Sequence, residues 1–196
     1  MKFSLLFNII CLQISLAKDS VGECPKTSGV ANFNPDAYIG RWYEFRRDQA
    51  TQWEWFGECV TATYTVKADG KIDVKNRSWF WWWFFSYYTA PGIADCKSQG
   101  QAAECEVRFF ENSQYKYTEP NYKVISTDYS NYAMVYSCRK NAFGGKTEDF
   151  WILTRVAVPT KSEQDTYKDL AKKLLPDYDH SYVVYTKQGE PYCKYE

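Results

Sequence analysis

The sequence predicts an all-β fold: an up-and-down antiparallel barrel with one C-terminal α-helix packed outside it. Three observations carry the prediction. Short segments rich in β-branched and aromatic residues recur between turn signals along most of the chain. One of them, residues 71–76, alternates cleanly, with Ile72 and Val74 on one face and Lys71, Asp73 and Lys75 on the other. Such alternation means one buried face and one wet face. A single long helical pattern comes late and stops at Pro176. Many short strands followed by one helix fit a barrel better than a sandwich.

The elements follow in chain order. Residues 1–17 carry one cation, Lys2, then an apolar run and the small residues Ser15 and Ala17. This is the pattern of a secretory signal peptide, with cleavage expected after Ala17 and a single domain over 18–196. The run is too short to span a bilayer. An irregular arm leads through Cys24-Pro25 to Asn34-Pro35. Strands are expected at 41–46, 59–67, 71–76, 104–110, 121–126, 132–139 and 150–156, with a last one at 181–185. Ala68-Asp69-Gly70 supplies a hairpin turn between the second and third. The helix is expected at 162–175, capped by Ser162 with Asp165. Its apolar positions Tyr167, Leu170, Leu174 and Leu175 recur at helical spacing, so one face docks on the barrel.

Charge is balanced, with 24 Lys and Arg against 24 Asp and Glu. No electrostatic case exists for nucleic acid or an anionic membrane. Removing Cys11 with the signal leaves Cys24, Cys59, Cys96, Cys105, Cys138 and Cys193. An even count in an exported chain argues for three disulfides and an extracellular location. Fifteen connectivities remain open. Cys96 and Cys105 flank a polar, Gly-containing stretch, so proximity favours that one pair. No CxxC pair or His-rich cluster suggests a metal.

Gly40-Arg41-Trp42, Thr127-Asp128-Tyr129 and the segment from Phe150 to Arg155, in that order, resemble the signature of the lipocalin family. Gly40-Arg41-Trp42 resembles its Gly-x-Trp motif at the first strand. Thr127-Asp128-Tyr129 resembles its Thr-Asp-Tyr motif between the sixth and seventh strands. Phe150 to Arg155 resembles its third motif, whose arginine lies over the tryptophan of the first. The resemblance covers almost all of residues 18–196. It is closest to the branch that holds apolipoprotein D, insect bilin-binding proteins and carotenoid-binding crustacyanins. It implies eight strands, with Trp42 plugging one end and Arg155 stacked on it. Thr127, Asp128 and Tyr129 then serve as a turn device. It also implies the pairs Cys24–Cys138 and Cys59–Cys193, leaving Cys96 with Cys105.

An eight-stranded barrel holds one small ligand. Matching the branch's contact positions suggests Tyr38, Tyr64 and Trp151. Period two adds Ala62 and Val66 beside Tyr64, and Leu153 beside Trp151. The Ile72 and Val74 face continues to Asn76 and Ser78. Val135 and Ser137 share an inward face, while Cys138 points to its partner. The resulting cup is mostly apolar with scattered hydroxyls and amides, and Glu44 is a candidate polar group within it. Asn76-Arg77-Ser78 is also an N-glycosylation sequon. An inward Asn76 has no room for a glycan, so either the sequon is unused, which is the favoured reading, or the parity slips at Asn76 and the site is open to glycosylation.

The oddest segment is residues 79–88, where nine of ten residues are aromatic. Alternation cannot bury them all, so aromatic surface, including Trp81, is expected at the cup's mouth. Capping a large planar or polyene ligand and self-association into a homo-oligomer rank first. Membrane contact ranks third, because basic residues do not cluster nearby. Catalysis is not expected. The single histidine, His180, falls in a loop read as solvent-exposed, and the mature cysteines are read as paired. The sequence therefore points to a secreted binding protein that needs no cofactor. Its partner is a small hydrophobic ligand, with a bilin or a carotenoid as the coloured versions of that reading.

Overall fold

The computed structural model describes residues 19–51, 54, 56–80, 86–96, 101–110, 120–140 and 144–195. These residues form strands β1 (Asp19–Val21), β2 (Gly40–Asp48), β3 (Gly57–Val66), β4 (Ile72–Phe80), β5 (Ser86–Cys96), β6 (Glu104–Phe109), β7 (Tyr122–Thr127), β8 (Tyr132–Lys140), β9 (Gly145–Thr154) and β10 (Val183–Tyr185). Two α-helices join them, α1 (Pro35–Tyr38) and α2 (Lys161–Leu174). From β2 to β9 each strand pairs antiparallel with the next, and β9 returns to pair with β2, closing an eight-stranded ring. Short β1 extends β9, and short β10 extends β2.

Burial follows the alternation. On β4, Ile72 and Val74 are buried while Asp73 and Lys75 are exposed. On β9 both faces are buried, because α2 covers the outer one. Phe45, Met134, Tyr136, Phe150 and Ile152 meet Tyr167, Ala171 and Leu175 there in a second core. The first core lines the inside of the ring.

Several boundaries differ from expectation, each for a local reason. Helix α2 starts one residue earlier, because Thr160 and not Ser162 is the cap. The Thr160 side chain accepts from the Glu163 N–H while the Glu163 carboxylate accepts from the Thr160 N–H. The strand expected at 150–156 runs from Gly145 to Thr154, since Arg155 leaves the ladder to serve the closed end. The last strand begins at Val183, because residues 180–182 form a 3₁₀ turn. His180 is half-buried rather than solvated. Its ring packs near Tyr178 and Phe150, and Nε2 lies 2.9 Å from the Leu175 carbonyl oxygen. Strand β5 escapes a pattern reading because Pro91 and Gly92 interrupt it. Gly92 is needed there: a Cβ would lie 2.8 Å from the Arg108 carbonyl oxygen on β6.

Two seams of the ring are short. Strands β2 and β3 pair only over Gly40–Tyr43, and bulges at Glu44/Arg46 and Glu58/Thr61 then splay them. The C-terminal tail fills the gap. Cys59 N–H donates to the Lys187 carbonyl at 2.8 Å, and Gln188 Nε2 donates to the carbonyls of Glu44 and Val60 at 3.0 and 2.7 Å. Strands β6 and β7 share only two residue pairs. Asn121 extends that seam with its carboxamide, accepting from Val107 N–H at 2.7 Å and donating to Val107 O at 2.9 Å. At the other end Val124 N–H donates to the Ala103 carbonyl at 2.9 Å, and Val30 of the N-terminal arm bonds to both, donating to Val124 O at 2.8 Å and accepting from Ala103 N–H at 2.9 Å. Disulfides join Cys24 to Cys138, Cys59 to Cys193 and Cys96 to Cys105.

Candidate ligand-binding cavity

One end of the ring is sealed by side chains. Gly40 turns the chain into β2 at φ +93°, a conformation that favours glycine. That turn sets Trp42, fully buried, across the barrel floor, where its Nε1 donates to the Tyr38 carbonyl at 2.9 Å. The Arg155 guanidinium stacks on the indole with Cζ 3.6 Å from the ring centroid. It also donates to the carbonyls of Ala37, Tyr38, Arg41 and Tyr129. One planar cation thus ties three distant segments. The turn at Thr127 is held by Asp128, whose Oδ1 accepts from the N–H groups of Ser130, Asn131 and Tyr132. Partial burial raises the Asp128 carboxyl, but these bonds outweigh it and hold the group below its ordinary value. Tyr129 adopts φ +65° and its hydroxyl accepts from the Asn34 N–H.

Above Trp42 lies a cavity of about 190 Å³, room for on the order of a dozen waters. Of the sequence-expected positions, Tyr38, Ala62, Tyr64, Asn76, Val135, Ser137, Trp151 and Leu153 line it, and so does Glu44. Two do not. Val66 is the last residue of β3 and is 47 % exposed, because the strand twists outward as its hairpin closes. Ser78 lies near the rim, half-buried against the turn at Gly57, and is not among the lining residues. Trp81 lies outside the described residues.

Sequence reasoning missed lining residues supplied by segments without periodicity: Phe33 from the arm, Glu54 from the β2–β3 loop, Asn121 from before β7, and Tyr122 at its start. Tyr122 is central to the floor. Its hydroxyl lies 3.0 Å from both the Tyr38 and the Tyr64 hydroxyls, and the Tyr38 and Tyr64 rings stack at 5.6 Å. The signal that finds it is weak: an aromatic beside a strand start.

Burial pushes all three phenols above their ordinary value, Tyr64 to about 12. The sign follows by linkage. A folded value above the unfolded one, about 10, means the fold favours the protonated phenols. That contribution is complete below about pH 10 and is lost as pH rises through the folded values. An alkaline titration read at the phenolate band should show these three ionising after the exposed tyrosines, with melting temperature falling over the same range. Ionisation of all tyrosines together near pH 10, with the fold intact, would contradict the buried cluster.

Toward the open end the wall turns polar. The Glu54 carboxyl accepts from Trp151 Nε1 at 2.9 Å and is hydrogen-bonded to Glu44. Burial first, then the charge of Glu44, pushes Glu54 well above the usual carboxylate range. Glu44 pairs with Arg47 at 2.9 Å and accepts from the Thr186 hydroxyl. Asp149 accepts from Thr51 Oγ1 at 3.1 Å and pairs with Arg139 at 3.0 Å. Its carboxyl is raised mainly by burial. Among the described residues no cluster of His, Cys, Asp and Glu could hold a metal ion.

Comparison with known proteins places this geometry. Residues 34–188 match the family described as a lipocalin-like domain. The chain is 29% identical over 186 residues to the Lazarillo protein of Schistocerca americana, covering 94% of this chain and 84% of that one. It is 33% identical over 135 residues to apolipoprotein D of Macaca fascicularis, covering 69% and 67%. The structure of insecticyanin from the tobacco hornworm Manduca sexta superposes with a TM-score of 0.75 at 22% identity, covering 90% of this chain and 93% of that one.

Proposed function

Because this chain belongs to the lipocalin family, whose members bind small hydrophobic ligands, we propose that its cup binds one such molecule for transport, storage or display. The observation that carries this reading is the cavity above Trp42, closed below and walled by Val60, Ala62, Ile72, Val74, Val107 and Leu153. Burial of apolar surface supplies the binding energy, and the phenols and Asn76 supply orientation. The role is a non-catalytic one. The export reading of residues 1–17 agrees with three disulfides, which persist in oxidising compartments. Asn76 lines the cup, which supports an unused sequon.

Full-length protein freed of lipid should take up a lipophilic fluorophore such as retinol at one per chain. Native mass spectrometry should show the matching increment. No uptake of any apolar probe would overturn the reading. Protein from its natural source should be checked for a visible absorption band, which would establish the pigment version.

A second reading has its own observation. Phe56, Tyr88 and Phe110 are 57 %, 51 % and 54 % exposed at strand ends around the open mouth. Such rings suit self-association. A sizing experiment with and without bound ligand separates the two: a dimer that persists without ligand favours assembly at the mouth.

A further inference from the structure

We propose that the cup selects a neutral, hydroxyl-bearing lipid and rejects the carboxylate of the same skeleton. The inference rests on the ligand-binding reading above and deepens it. Three sets of groups argue for it.

The floor comes first. Tyr38, Tyr64 and Tyr122 hold three phenolic protons but share only two hydrogen bonds, both through Tyr122. At least one O–H therefore remains for a ligand atom. One donor suits a hydroxyl or carbonyl oxygen. A buried carboxylate needs several donors or a cation. Arg155 does not serve, because it lies against Trp42 and donates to four backbone carbonyls.

The middle wall comes second. Asn76 Oδ1 is buried and has no hydrogen-bond partner. It lines the cup opposite Ala62, one inward position above the Val74–Tyr64 pair. The small Ala62 side chain leaves space in front of it. Leaving a buried carbonyl oxygen unpaired is costly, and a ligand donor recovers that cost. A hydroxyl both donates and accepts, so it answers Asn76 and the phenols alike. A carboxylate has no proton to give.

The charges near the mouth come third. Carboxyl groups of Glu44, Glu54 and Asp149 line the wall there. Among the described lining residues the cation is Arg139, and it is paired with Asp149 at 3.0 Å. Arg47, behind the wall, is paired with Glu44 at 2.9 Å. A ligand entering with its anionic head outward would meet the arginine-paired carboxylates of Glu44 and Asp149 and, among the described residues, no unengaged cation. Either orientation therefore disfavours an acid. Between the two pigment classes, a hydroxylated carotenoid falls on the favoured side and a bilin with free propionates on the other.

The test uses delipidated full-length protein at pH 7.5 and matched pairs: retinol with retinoic acid, and oleyl alcohol with oleate. Affinities come from native mass spectrometry and displacement of a fluorescent probe. Each alcohol should bind at least about tenfold tighter than its acid, a difference of about 1.4 kcal/mol. Asn76→Leu should weaken the alcohols several-fold while the circular dichroism spectrum stays unchanged. Equal or tighter binding of the acids overturns the proposal alone. Undiminished alcohol binding by a folded Asn76→Leu variant also overturns it. Failure of both members of both pairs to bind overturns it together with the ligand-binding reading.

Discussion

Replacing Trp42 with Ala should lower the stability of the barrel by about 3–5 kcal/mol, the usual range for deleting a buried Trp or Phe. For a chain of this size each kcal/mol shifts the melting temperature by roughly 2–4 °C, so the transition should fall by about 6–20 °C. The upper part of that range is expected. Trp42 is fully buried, and its loss removes the ring under Arg155 and the hydrogen bond to Tyr38. Arg155 would keep its carbonyl acceptors but lose the surface that holds its plane. Trp42→Phe keeps much of the area and should lose less than half as much. Thermal unfolding by circular dichroism decides the matter. A shift of under 2 °C for Trp42→Ala would mean that the floor is held by the carbonyl network alone.

The second large effect is expected from Cys59→Ser with Cys193→Ser. The bond closes a loop of sequence separation 134, for which chain entropy gives about 5 kcal/mol. The same treatment gives only about 2.5 kcal/mol for Cys96 with Cys105, nine apart. Calorimetry of the two double variants should therefore differ, with the Cys59–Cys193 pair costing about twice as much. The larger loss also has a local cause. Lys187 and Gln188 bridge β2 and β3, and Arg77 donates to the Lys194 carbonyl while stacking on Tyr87. Without its covalent anchor the tail should be cut by protease under native conditions. Equal losses from the two variants would show that loop length does not govern the stabilisation.

The legible and illegible parts of the molecule divide on physical lines. Strand β4 could be read because solvent wets one face only, and its alternation fixes Val74 and Asn76 inward. Tyr64 and Trp151 came from the family resemblance, and period two carried their inward direction to Ala62 and Leu153, while Val135 and Ser137 followed from their shared face. Strand β9 could not be bounded by alternation, since α2 buries its outer face. Val66 failed because parity ignores twist at a strand end. Glu54, Asn121 and Phe33 reach the cup from loops and an arm, where side-chain direction is set by tertiary contacts and no period exists. Tyr122 had the right residue type at the first position of its strand, but nothing local shows that three phenols meet.

The two-pair seam between β6 and β7 has a consequence for how this ring breathes. A closed sheet has no margin from which to fray, so it opens by unzipping along one line, and that line is the joint with fewest ladder bonds. Here Asn121 and Val30 act as clasps at its two ends. When they let go, two raw edges are exposed at once, each able to recruit another chain. The residues there are charged: Glu104, Glu106 and Arg108 on one edge and Lys123 on the other. Charge on an edge discourages pairing between copies, so the weakest joint of the barrel also carries its own protection against aggregation.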